Sequence, residues 1–152
     1  ERWIFGDIRE AYVAGDWSHV IVEGGVNDLN FDCDCAGCDD VLDRIVAADG
    51  GGGAMPTLVD RALSDGAEVV LVGYYEMGPE ATNGFDVCNP AIGELNTRYE
   101  LVAAGRDGVT FVNPGEVVSM ESTPDAYRSD QVHPTAEGSV LLAELIAAAI
   151  ED

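Results

Sequence analysis

The stretch His19-Val20-Ile21-Val22-Glu23-Gly24-Gly25-Val26-Asn27-Asp28 decides how the rest of the chain is read. A β-branched run halted by a glycine pair reads as a strand, buried on both faces, over residues 19–23. Two runs of the same kind follow, Glu68–Val72 and Val109–Val112. Between and around them, apolar positions recur three and four residues apart over 7–14, 39–48, 56–64, 90–104 and 136–150, the period of helices. Pro56 suits the first turn of its helix, and Thr135 stands where the last helix needs a capping hydroxyl. Helices alternating with strands imply βαβ units, right-handed crossovers and a parallel sheet between helix layers. The expected fold is a three-layer α/β/α domain over residues 1–152, with no linker or internal repeat.

Composition narrows the function. The 152 residues are 47% hydrophobic, enough for one core. No apolar run approaches the roughly 18 residues of a membrane-spanning helix, so no membrane span is expected. Twenty-nine acidic residues oppose seven basic ones, all arginine, for a net charge of −22. That surface repels phosphate backbones and anionic lipids, which excludes nucleic acid as a partner. Its plainest role is to keep the protein in solution.

In open parallel sheets the working residues lie after the carboxyl ends of the strands. Three such segments carry chemistry here: 24–29, 73–78 and 130–134. Asp130 and His133 are three apart in a turn fixed by Pro134, so a carboxylate can orient an imidazole that acts as general base. The chain's other histidine, His19, precedes a strand and suits packing or exposure better. Asn27, after the glycine pair, can turn its amide into a cleft and donate to a developing oxyanion. Tyr74, Tyr75 and Met77 can line an acyl pocket, or simply cap the sheet edge.

Gly25-Val26-Asn27-Asp28 at a strand end, with Asp130-x-x-His133-Pro134 about a hundred residues later, resembles the SGNH (GDSL-type) hydrolases. The resemblance implies a flavodoxin-like sheet and a serine esterase acting on a small-molecule ester of short or medium acyl chain, carbohydrate acetyl esters among them. It makes Asn27 an oxyanion donor, with Gly25 and Asp28 completing its motif, and makes Asp130 and His133 two members of a Ser-His-Asp triad. No cofactor and no metal are implied. The family's first block, Gly-Asp-Ser after its first strand, has no counterpart: in Phe5-Gly6-Asp7-Ile8 an isoleucine stands in the serine's place. The second oxyanion block is missing as well. In the family's strand order 2-1-3-4-5 the three strands would be the third, fourth and fifth. An N-terminal segment of the same protein, on the order of 40–50 residues, is therefore expected upstream of Glu1. It would complete the sheet beside residues 19–23 and bring the serine. The rival is a catalytically inactive α/β binding module derived from such a hydrolase.

Cys33, Cys35 and Cys38 cluster in an acidic stretch, and Cys88 stands apart. An even count favours two disulfides over zinc or free thiols, with a bond from the cluster to Cys88, and points to a secreted or periplasmic protein. Asp28, Asn30, Asp32, Asp34 and Asp39 imitate the spacing of a calcium loop, but Cys33 replaces its glycine, so a cystine-stapled acidic loop is preferred. Gly50–Gly53 lacks the lysine of a phosphate loop and reads as flexible.

Overall fold

The computed structural model describes residues 8–151. Three parallel strands, β1 (His19–Val22), β2 (Glu68–Val72) and β3 (Val109–Val112), pair in the order β1-β2-β3. Val20 lies opposite Val69, and Val69 opposite Val109. Six α-helices surround them: α1 (Ile8–Ala11), α2 (Val26–Cys33), α3 (Asp39–Ile45), α4 (Ala54–Ser64), α5 (Asn89–Ala104) and α6 (Ala136–Glu151).

The side-chain alternation of β2 divides the core. Val69 and Leu71 point into a large cluster shared with α2, α3, α4 and α5. Val70 and Val72 point the other way, where among the described residues α6 covers them through Leu145, Ile146, Ala149 and Ile150. The crossovers β1-α4-β2 and β2-α5-β3 advance in one direction, so right-handedness puts both helices on the same face. The expected three-layer α/β/α architecture is present. Leu71 and Leu95 are wholly buried, and truncating either to alanine costs about 3 kcal/mol.

Local chemistry explains the helix ends. The Thr135 hydroxyl accepts the Gly138 N–H at 3.1 Å, capping α6 as expected. Gly138 itself packs directly on the Ala126 carbonyl, where no side chain fits. Gly53 has φ 112° and would bring a Cβ within 2.6 Å of the Ile45 carbonyl, so the Gly50–Gly53 tract makes a close turn rather than a flexible loop. The same approach ends α3 at Ile45 instead of residue 48, with Val46 already extended.

β1 departs from expectation in its length and burial, while its open side is the one expected without an upstream strand. It pairs with β2 on one side only among the described residues, and it ends at Val22, one residue early. Only Val22 is buried, while Ile21 is 53% exposed. The β-branched run reports strand propensity, which edge and central strands share. Its burial depends on neighbours that the run does not encode. The motif-like Phe5-Gly6-Asp7 lies outside the described residues.

Candidate active site

The turn 130–134 is built around one carboxylate. Asp130 Oδ1 accepts the backbone N–H groups of Val132 and His133, each at 3.0 Å, and Oδ2 sits 2.9 Å from His133 Nδ1. The His133 N–H, then the Val132 N–H, then the imidazole hold the Asp130 carboxyl down at about 2. It stays ionised at any working pH. A carboxylate at Nδ1 favours the tautomer protonated there, which leaves the Nε2 lone pair free to take a proton. The His133 side chain is 66% exposed, so Nε2 is accessible.

Neighbouring loops fix the turn. Gln131 adopts φ 54°, a left-handed conformation. The Tyr75 hydroxyl donates to the Val132 carbonyl at 2.9 Å, and the Arg128 N–H to the His133 carbonyl at 2.9 Å. Gly78 N–H and Glu80 N–H donate to the Gln131 carbonyl and Oε1, and Thr82 N–H to the Asp130 carbonyl, all at 2.9 Å. Tyr75 stacks edge-on against Tyr127 with centroids 5.2 Å apart.

Asn27 lies in the first turn of α2, not in an open loop. After Val22 the chain passes through Gly25 at φ 105°, where a Cβ would meet Leu95 Cδ2 and the Tyr99 hydroxyl at 3.2 Å and Ile45 Cγ2 at 3.3 Å. Only glycine fits, and α2 starts immediately after it. Asn27 is exposed and shares a cleft of about 1360 Å³ with His133. The free N–H groups of a helix's first turn add partial positive charge there.

Tyr74, Tyr75 and Met77 all line this cleft. Tyr75 and Met77 are buried, however, and Tyr74 half-buried, so they form its floor. Burial pushes the Tyr74 and Tyr75 hydroxyls well above their usual range. The exposed Phe31, one helical turn beyond Asn27, is a wall residue that the sequence reading passed over. All six serines of the chain lie among the described residues, and none lines the cleft. His19 instead faces Glu68 at 3.4 Å, at the far end of the β1–β2 pair.

Three further residues, missed in the sequence, hold the cleft loops from α5. Asn89 bonds both the N–H and the carbonyl of Met77, at 2.8 and 3.0 Å. Asn96 does the same for Tyr74, at 2.9 and 2.7 Å. The Tyr99 hydroxyl donates to the Gly24 carbonyl at 2.7 Å. Their spacing of seven and three puts them on one helix face, and polar residues recurring on an otherwise apolar face were the available signal.

The cysteines pair as Cys33–Cys38 and Cys35–Cys88, so the cluster does reach Cys88. Disulfides of this kind belong to oxidising compartments. The calcium-like spacing fails for a physical reason: Asp28, Asn30 and Asp32 are wound into α2, so they spiral instead of converging, and Asp32 pairs with Arg44 at 2.7 Å. Among the described residues no helix is long and apolar enough to cross a membrane.

Solved structures share this fold. A GDSL-like lipase from Bacteroides thetaiotaomicron superposes with a TM-score of 0.63 at 24% identity, over 88% of this chain and 62% of its own. A catalytic mutant of an acetylxylan esterase from Geobacillus stearothermophilus gives 0.61 at 20% identity, over 98% and 64%. A candidate acylhydrolase from Bacteroides fragilis gives 0.64 at 23% identity, over 88% and 61%. The chain thus spans less than two thirds of each of these proteins, and at such identities the likeness speaks to fold alone. No curated protein matches the sequence. The GDSL-like lipase/acylhydrolase family, by contrast, matches residues 4–141, and with that span covered the chain belongs to this family.

Proposed function

We propose that this domain carries the acid–base and oxyanion groups of a serine ester hydrolase for small or medium acyl esters, acetyl esters of carbohydrates among them. In this reading a serine hydroxyl attacks the ester carbonyl and gives its proton to His133 Nε2. Asp130 steadies the imidazolium, and Asn27 Nδ2 donates to the tetrahedral oxyanion. His133 then returns the proton to the departing alcohol, and water repeats the sequence on the acyl-enzyme. The serine comes from a segment outside the described residues that pairs with the free edge of β1, in a protein exported to an oxidising compartment.

The observation that carries the reading is the Asp130–His133 pair at 2.9 Å, whose imidazole shares one cleft with Asn27. Family membership and the one-sided pairing of β1 add support. The test is the intact mass of the native protein after treatment with a fluorophosphonate. One covalent adduct on serine is expected, with its formation slowed by His133→Ala. A cleft without a serine of its own also suits a binding module, and the absence of both adduct and ester hydrolysis would establish that alternative.

A further inference from the structure

Tyr99 occupies the space beneath the Gly24–Gly25 turn. It is wholly buried, its hydroxyl donates to the Gly24 carbonyl at 2.7 Å, and the same oxygen lies 3.2 Å from where a Gly25 Cβ would stand. The bond therefore seats the peptide that leads into the φ 105° residue, and with it the first turn of α2 that bears Asn27. The Tyr74 hydroxyl comes near the backbone of Val26, which follows the turn. Tyr74 is in turn held through its backbone by Asn96, three residues before Tyr99 on α5. One helix face thus holds both the turn and the neighbouring Tyr74 backbone.

A ring in this position fills the core whether or not it carries oxygen. The hydroxyl does more than fill. Moving a donor by an ångström from a developing oxyanion changes turnover without changing how the ground-state ester is held. Resting on the ester-hydrolase reading above, we infer that Tyr99 is a positioning residue for Asn27, its hydroxyl setting the register of the α2 N-terminus and hence kcat rather than KM.

The test is Tyr99→Phe in the native protein, measured in two ways. With an activated acetyl ester, kcat should fall about tenfold with KM within twofold, and the change should add nothing in an Asn27→Ala background. By hydrogen exchange, the Leu29 amide, which donates to the Gly25 carbonyl at 3.2 Å, should open faster than in wild type, while the amides of α4 and β2 keep their rates. An unchanged kcat, a rise in KM alone, or full additivity with Asn27→Ala overturns the inference. Should the wild-type protein hydrolyse no ester, the parent reading fails separately, and the exchange measurement still decides. Unchanged protection of the Leu29 amide then refutes the positioning role, and its selective loss sustains it.

Discussion

Removing the two disulfides separately should destabilise the domain unequally, and the structure says by how much. Cys35–Cys88 closes a loop with a sequence separation of 53, whereas Cys33–Cys38 closes one of 5. Loop-closure entropy puts the longer bridge at about 4 kcal/mol and the shorter at about 2. Packing loss does not confuse the comparison. Each pair joins one buried sulfur, Cys88 or Cys38, to one half-buried sulfur, Cys35 or Cys33, so double replacement by alanine removes similar apolar contact in both. Urea unfolding followed by far-UV circular dichroism, at a slope of about 2 kcal/mol/M, should shift the midpoint down by about 2 M for Cys35→Ala/Cys88→Ala. The shift for Cys33→Ala/Cys38→Ala should be about 1 M. Equal shifts, or a larger one for the short loop, would refute the reasoning and show that local strain or unfolded-state structure outweighs chain entropy.

Other outcomes follow from the same geometry. Asn27→Ala should lower kcat about 10²–10³-fold, and Asp130→Asn about 10⁴-fold by reversing the tautomer of His133; ester turnover retained in either variant would sink the assignment. Because the Asp130 carboxyl is held at about 2, below its ordinary 3.8, its stabilising effect is complete above pH 4 and lost as pH falls toward 2. The stability difference between wild type and Asp130→Asn should therefore close across that window in acid titrations, and a difference independent of pH would contradict it. The nearly buried Arg98 bonds Asp43, Glu94 and the Val46 carbonyl, each within 2.9 Å. Arg98→Ala should cost about 2 kcal/mol, since both carboxylates are half exposed and regain water. Arg98→Met should recover part of that by restoring packing, as thermal unfolding would reveal.

The order of elements was legible because it depends on local period: β2 and β3 match their expected limits, and α4, α5 and α6 match within two residues at each end. Asp130 and His133 were legible because both partners sit on one short turn. α2 was not. Gly24, Gly25 and the alternating polar residues Asp28, Asn30 and Asp32 look like a loop, and the helix exists because Leu29 docks in the core and the two cystines hold its far end. The family's strand order anticipated an open side beside β1, but its valines and isoleucine read as buried on both faces, which hid the exposure of Ile21. Asn89, Asn96 and Tyr99 share one helix face, but their partners are backbone atoms of distant loops, so the pattern alone did not say what they hold.

The backbone bonds that join residues 78–82 to Asp130 and Gln131 dictate where this domain can change length. Adding or deleting a residue between Pro79 and Thr82 would slide the later donors out of step with Gly78 and drag the imidazole with them. Just beyond, Asn83 and Gly84 turn at φ 60° and 70°, and a side chain at Gly84 would meet nothing within 4 Å. An affinity tag or a substrate-gripping hairpin grafted at that tip would leave the proton-transfer machinery undisturbed, whereas the same graft three residues earlier would abolish it.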